Sequence, residues 1–462
     1  MKPLTLLFLF LLPFAGLAQV RKGDAPPARS RQLAKPASVL AAPPLSLQQA
    51  IAEALQHNYG IQLSRLDEQI SSNNVTRGNA GQLPSLTGNF TRAFNNNNIN
   101  QKFGENDPRV VNGATSNALN SNVTLRWTLF DGSGMFIAYD RLETQRQQQQ
   151  QLTRATVEEN VEDVTNAYYD VVRQAGKITS LEEALTIGQA RLNLTQAQVS
   201  VGASAKVELL TAQVDYNADR SLLLQQQQAL SAAKITLNNL LGRAPRVDFA
   251  PTDSLVVARD LREETVTAGI KANNPRLAQA RLGVNVATYD RRLVHAARFP
   301  EINLVSGYGL TRNINNAAFA GTLLTSSTNR VQGLNYGITA SVPIFDGFNL
   351  RRREQNARVV EEQSQLSLAR TALQLDANAA TAFAQYQNFL QLLDLEETNI
   401  QLARQNVEIA LERYRLGLLT PLALREAQRN QLAAETRLLD IRYSAKQAET
   451  ALRRLSGTLV RE

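Results

Sequence analysis

Side chains that commonly carry out catalysis are scarce in this 462-residue sequence and poorly spaced for it. There is no cysteine, so the chain offers no thiolate nucleophile, no thiolate metal ligand, no disulfide and no attachment point for a lipid. The two histidines, His57 and His295, are far apart, and neither has a second ligand at a metal-binding spacing. No phosphate-cradling glycine loop, dinucleotide fingerprint or nucleophile elbow is present. The sequence therefore points away from catalysis and implies no cofactor and no metal. The informative side chains are those that select a solvent: segments alternating apolar and polar residues, and glycines flanked by apolar residues at helix breaks.

Charge and leader sequence narrow the class further. The formal net charge of +8 would suit nucleic acid if it lay on a folded body. Much of it lies instead in residues 19–44, where Arg21, Lys22, Arg29, Arg31 and Lys35 face only Asp24. That Pro- and Ala-rich stretch reads as a disordered basic leader, which leaves the body nearly balanced and argues for no nucleic-acid partner. Residues 1–18 read as a secretory signal, with Lys2, an apolar run from Leu4 to Leu17, and Gly16-Leu17-Ala18 before the cleavage point. The run is shorter than the roughly 20 residues that a spanning helix needs. No other stretch is apolar enough, so a membrane span has to come from strands.

Four extended segments alternate with period two. Phe90, Val123, Leu125, Trp127, Leu129, Ile302, Leu304, Ile338, Val342 and Ile344 fall on apolar faces and are expected to meet lipid. Thr87, Asn89, Thr124, Arg126, Asn303, Thr339 and Ser341 fall on the opposite faces and are expected to line an aqueous lumen. Arg92 lies on the apolar face of its segment and breaks the pattern. Each segment reads as about ten residues, the length of a tilted bilayer-spanning strand. The polar stretches 95–121 and 312–333 read as long outer loops.

The elements that carry these segments occur twice. Phe130-Asp131-Gly132 recurs as Phe345-Asp346-Gly347, Gly202 as Gly417, and Asn58 as Asn274, at a period of about 215 residues. The first repeat spans 45–242 and the second 259–457, with a linker at 243–258. Each repeat reads as an entry helix, a strand pair (about 84–131 and 300–345), a long helix (about 133–200 and 349–415) and a returning helix (about 205–241 and 420–456). Ser46-Leu47-Gln48-Gln49 reads as a capping box, and the first upper helix is expected from Tyr59 to Gly81. About 68 helical residues at 1.5 Å rise give roughly 100 Å. Val201-Gly202-Ala203 and Leu416-Gly417-Leu418-Leu419-Thr420 read as hairpin tips, with Ser204 and Thr420 capping the next helix. Four strands cannot close a barrel, and open edges in a bilayer leave main-chain groups unpaired at several kcal/mol each, about the cost of burying a polar group alone. The chain must therefore pool its strands with copies of itself.

On these features the chain resembles the TolC-like outer membrane efflux proteins. The features that carry the resemblance are the opening from Leu45 to Asn58, Leu83-Pro84-x-Leu86, the paired Phe-Asp-Gly motifs, Ala167-Tyr168-Tyr169-Asp170 and the glycine tips. The resemblance implies an α+β membrane protein, in which a homotrimer forms a 12-stranded outer-membrane barrel continued by a periplasmic α-helical barrel. It further implies that the tips dock a periplasmic adaptor linked to an inner-membrane pump of the resistance-nodulation-division or ABC type. Some members carry acidic rings beyond the tips, where they bind cations; here Pro421, Leu422 and Ala423 follow Thr420 and only Glu208 is acidic near the first tip, so the chain departs from that pattern and the sequence leaves such a constriction open. The competing reading is a periplasmic coiled-coil scaffold or adaptor without membrane insertion, which leaves the four alternating segments unexplained.

Overall fold

The computed structural model describes residues 42–102, 104, 108–320 and 323–460. The signal segment and nearly all of the basic leader lie outside the described residues. From Pro43 onward the chain forms one unit. In order, its elements are β1 (Pro44–Leu45), α1 (Leu47–His57), α2 (Tyr59–Asn74), β2 (Ser85–Gln101), β3 (Arg109–Asp131), α3 (Gly134–Ser200), α4 (Lys206–Leu240) and β4 (Ala250–Pro251). The second half supplies α5 (Glu263–Asn273), α6 (Pro275–Ala296), β5 (Glu301–Ala320), β6 (Leu323–Ser341), α7 (Asn349–Arg415) and α8 (Pro421–Leu455). Apart from the short β1–β4 pairing, the second half repeats the first element by element.

The two long helices are 67 residues each, and the two returning helices 35 each. At 1.5 Å per residue, α3 and α7 are about 100 Å long, and α4 and α8 about 53 Å. Each long helix is therefore flanked over one part of its length by an upper helix and over the rest by a returning one. The break between α1 and α2 forms the joint where the two short helices meet. The Asn58 side chain accepts from Ile61 N at 3.2 Å, capping α2, and donates to the Leu240 carbonyl at 2.8 Å, closing the end of α4. Asn274 does the same in the second half, accepting from Leu277 N at 3.0 Å and donating to the Leu455 carbonyl at 2.9 Å. A single amide thus satisfies two helix ends whose groups would otherwise be orphaned.

The glycine after each returning helix completes the joint. Gly242 and Gly457 have φ of 70° and 67°. A Cβ on Gly242 would lie 2.3 Å from the His57 carbonyl oxygen, and one on Gly457 2.7 Å from that of Asn273. Hydrophobic cores sit at the same height. In the first half Leu45, Ala54, Val164, Leu237, Leu241 and Phe249 surround Tyr168. The Tyr168 hydroxyl lies 2.9 Å from the Leu45 carbonyl and 2.8 Å from Asp253 Oδ2, and accepts from Thr252 N. The linker is thereby tied to the long helix. In the second half Tyr386 donates to the Ala258 carbonyl at 2.5 Å.

Two expectations about extent need correction. The upper helix of the first half ends at Asn74, not near Gly81; residues 75–81 form turns held by Thr76 N to the Asn74 carbonyl and by Thr76 Oγ1, which accepts from Asn79 N. β-Branched Val75 and Thr76 followed by Gly78 and Gly81 favour that ending. The stretches read as long outer loops are mostly strand. β2, β3, β5 and β6 run for 17, 23, 20 and 19 residues. Main-chain pairing is indifferent to side-chain polarity, and polar side chains reinforce it across the strands, as where Asn95 Nδ2 donates to Ser116 Oγ at 3.2 Å.

The two left-handed glycines Gly242 and Gly202 separate close packing from backbone conformation, because a Cβ on Gly202 would meet nothing within 4 Å. Gly242→Ala is expected to lower the thermal unfolding midpoint well beyond Gly202→Ala, which carries only the left-handed strain of about 1–2 kcal/mol. Equal shifts in a melting curve would remove the joint from the account.

Candidate functional site

The four long strands form one antiparallel sheet in the order β2-β3-β5-β6, so β2 and β6 each keep an unpaired edge. Directly opposed residues of antiparallel strands share a face. The register aligns Leu86, Leu125, Ser306 and Tyr336 in one row, Gly88, Val123, Tyr308 and Leu334 in the next, and Trp127 with Leu304 and Ile338. Phe90 and Ile302 lie on this same apolar face. The other face carries Thr87 opposite Thr124, Asn89 opposite Asn122, Arg126 opposite Ser85, Asn303 opposite Thr339, and Ser341 opposite Glu301.

Three apolar assignments do not fit this frame. Leu129 occupies a bulge between Thr128 and Phe130, and Phe130 takes the place opposite Ile302. Val342 and Ile344 lie beyond the end of β6 at Ser341. Pro343 between them lacks the N–H needed to continue a ladder.

Sheet and long helices are joined at the Phe-Asp-Gly motifs. Gly132 and Ser133, and likewise Gly347 and Phe348, have positive φ. A Cβ on Gly132 would lie 2.4 Å from the Ala296 carbonyl oxygen. Asp346 Oδ2 accepts from Leu350 N at 2.7 Å in the first turn of α7. In the second half the motif thus combines a sharp turn with a cap on α7, whereas in the first the turn recurs and Asp131 Oδ1 is buried without a hydrogen-bond partner.

At the far end of the helices are the two tips. Gly202 and Gly417 have φ of 76° and 75°. Ala203 N donates to the Gln198 carbonyl and Leu418 N to the Arg413 carbonyl, each at 2.8 Å, closing both helices in Schellman fashion. Thr420 Oγ1 accepts from Ala423 N at 3.3 Å and caps α8, with Pro421 in its first turn. Ser204 does not cap α4; Ala205 holds the cap position, and the Ser204 hydroxyl binds Glu208 instead. Val201, Leu416 and Leu418 are 78, 71 and 68 % exposed, whereas Leu419 packs against Tyr414 and Leu424. Gly202 and Ala203 are exposed beside Val201.

The two tips are tied together by an ion-pair cluster that sequence reading missed. Arg425 of α8 donates to buried Asp219 of α4 through both terminal nitrogens, at 2.6 and 2.8 Å. Its Nε lies 3.7 Å from Asp215, which also binds buried Arg191 of α3. Hydrogen bonding and charge from Asp219 hold the Arg425 guanidinium pKa above its ordinary value, against the opposing effect of burial. Beside the cluster is a cleft of about 620 Å³ lined by Thr195, Glu208, Thr420 and Leu422. Only the burial of Arg191 and Asp219, with Asp215 and Arg425 half-buried beside them, could have flagged it, and burial is not visible in sequence.

The exposed apolar residues of the helices fall in stripes. Leu395, Leu402 and Ile409 recur every seven residues on α7, and Tyr59, Leu63, Leu66 and Ile70 mark one side of α2. Their repeat counterparts are covered inside the chain. Leu402 and Ile409 correspond to Ile187 and Leu194 of α3, which pack against the cluster that α7 and α8 form around Tyr414 and Leu424. α2 packs on α3 alone among the long helices, whereas its counterpart α6 sits between α3 and α7. The internal junction is charged: Arg141 pairs with Asp290 at 2.8 Å, Arg276 with Glu159, and Lys177 with Asp440 at 2.7 Å. The counterpart positions, Asn356 and Asn74, Gly60 and Gln374, Leu392 and Gln225, carry no charge.

Among the described residues no helix is long and apolar enough to cross a membrane, and no group of acids or histidines could hold a metal ion. His57 and His295 are both solvent-exposed or at its edge and lie on separate helices.

An open two-faced sheet fused to helices about 100 Å long defines a class, the subunits of outer-membrane channels that reach far into the periplasm. The chain belongs to the outer membrane efflux protein family, whose model matches residues 50–243 and 268–458. It is 24 % identical over 388 residues to Protein CyaE of Bordetella pertussis, covering 81 % of this chain and 77 % of that one. It is 23 % identical over 423 residues to the cation efflux system protein CusC of Escherichia coli, covering 87 and 84 %. Among solved structures, CusC superposes with a TM-score of 0.70 at 19 % identity, covering 89 % of this chain and 92 % of that one. The Campylobacter jejuni CmeC outer membrane channel superposes with a TM-score of 0.73 at 15 % identity, covering 89 and 85 %. The chain is thus an outer-membrane channel subunit for efflux that extends into the periplasm.

Loss of the Arg425 partner strands a buried carboxylate, a change of the kind that costs about 3–5 kcal/mol. Arg425→Ala is expected to lose amide-exchange protection in the lower turns of α4, and adding Asp219→Asn should restore part of it. Unaltered protection in the single variant would show that the cluster does not hold the tips.

Proposed function

We propose that this chain works as a homotrimer whose pooled strands form a 12-stranded barrel and whose helices form a tube below it. The single observation behind this reading is the four-stranded sheet with one apolar face, one polar face and two unpaired edges. In a bilayer, each unpaired edge has to find a strand of another copy. The uncovered helix stripes support the same arrangement, because the internal α3–α6 and α3–α8 contacts foreshadow an α7 seam against α2 and α4 of the next copy. On this reading Phe90, Val123, Leu125, Trp127, Ile302, Leu304 and Ile338 meet lipid, and Thr87, Asn89, Thr124, Arg126, Asn303, Thr339 and Ser341 line the lumen. The subunit conducts; it does not catalyse.

The partners at the other end are a periplasmic adaptor and an inner-membrane pump of the resistance-nodulation-division or ABC type. Val201, Gly202, Ala203, Leu416, Gly417 and Leu418 form the docking surface. The exposed apolar residues around two rigid turns support this role. Leu419 and Thr420 support the tip from within, one by packing and the other by capping.

Two experiments test these assignments. Leu125→Asp is expected to abolish assembly in the outer membrane, since a carboxylate at mid-bilayer is destabilising in every chain, though by less than the roughly 2–4 kcal/mol of an arginine or lysine there. Thr124→Asp, one residue away on the other face, should assemble normally. Membrane fractionation reads both, and equal recovery would reverse the assignment of faces. Leu418→Asp should leave a folded oligomer, by light scattering in detergent, that no longer restores efflux to a strain lacking the channel. Full efflux by that variant would remove the tip from the docking surface.

A further inference from the structure

The apolar face of the sheet carries three arginines, and the register places them in one row. Arg92 pairs with Leu119, Leu119 with Arg312, and Arg312 with Arg330. All three are exposed. Among the described residues Arg92 reaches neutral partners, Asn117 Oδ1 at 3.4 Å and the Phe94 ring at 4.8 Å. Arg330 reaches Gln332 Oε1 at 3.3 Å. Among the described residues Arg312 has no side-chain partner. The four strands contain two carboxylates, Asp131 and Glu301, which oppose each other at the helix end of the sheet. From there to Arg312 is roughly 37 Å along the strand.

The arrangement opposes the sheet's own stability. Arg312 and Arg330 are directly opposed, so their like charges repel across a separation of about 5 Å at Cβ. Nothing in the strands compensates for them. Their height is informative. From Ile302, at the start of the apolar face, to Arg312 the strand covers about 34 Å. At a tilt of about 40° that is roughly 26 Å of vertical rise, which matches an apolar band about 25 Å tall. The row therefore lies at the height where such a band ends away from the helices, with Phe94 and Ile314 one row beyond it, where the bilayer surface lies.

We propose that Arg312 and Arg330, with Arg92 roughly 10 Å away across two strands, form a binding site for the phosphate groups of outer-leaflet lipids. A guanidinium binds phosphate through parallel hydrogen bonds, and a phosphate seated between two opposed guanidinia converts their repulsion into a bridge. Phe90 and Leu310, one row nearer the band, lie where the acyl chains of such a lipid begin. The occupant is therefore a lipid rather than a soluble phosphate. This site rests on the reading that the apolar face meets the bilayer.

The test uses the full-length protein extracted in mild detergent, with native mass spectrometry counting bound lipid. The probes are diphosphorylated lipid A, the same lipid stripped of both phosphates, and inorganic phosphate as competitor. Wild type is expected to retain the diphosphorylated form, and the R92Q/R312Q/R330Q variant to bind it at least about tenfold more weakly. R126Q, on the opposite face, should bind as wild type does. Equal retention by the triple variant, equal retention of the stripped lipid, or full displacement by millimolar inorganic phosphate would each overturn the proposal. A wild-type chain recovered outside the membrane fraction overturns the barrel reading and this site together. An inserted wild-type chain indifferent to the phosphates overturns this site alone.

Discussion

The organisation of this molecule follows from one requirement, that main-chain N–H and C=O groups inside a bilayer must all be paired. A sheet of four strands satisfies its inner ladders and leaves the outer edges of β2 and β6 open. Water could satisfy those edges, but lipid cannot. On the proposed reading, the need for further copies, the hollow that their union would enclose and the tube beneath it all trace back to that deficit. The helices meet the same demand differently. Their ends are closed by side chains, by Asn58 and Asn274 at the joints and by Asp346 at the junction with the sheet.

The tandem repeat gives this economy a second use. On the proposed homotrimer, each contact made inside the chain between one half and the other would serve as a pattern for a contact between copies. Ile187 and Leu194 are half-buried against a cluster from α7 and α8, and the matching Leu402 and Ile409 are exposed. The two kinds of junction nevertheless differ in chemistry. The internal one carries ion pairs such as Arg141–Asp290, while the matching positions of the other repeat hold asparagine, glutamine, glycine and leucine.

Much of this was legible in the sequence, because duplicated punctuation and period-two alternation are strong local signals. Glycine at 202 and 417 marked both tips, and alternation around Val123 and Leu304 separated the faces of the sheet. What failed did so for physical reasons. Asn-rich strand extensions read as loops, since polarity of side chains says little about whether main chains pair. Pro343 and the bulge at Leu129 shifted residues off a face that simple alternation had given them. The Arg191–Asp215–Arg425–Asp219 cluster joins three helices, and no window of sequence contains all four residues.

The contrast between the border of the two halves and their interiors bears on how salt acts on the chain. The ion pairs Arg141–Asp290 and Lys177–Asp440 join the halves and are partly exposed, so dissolved ions screen them. The cores around Tyr168 and Tyr386 depend on the exclusion of water and are not weakened in that way. Added electrolyte therefore acts on the border between the halves before it acts on either interior.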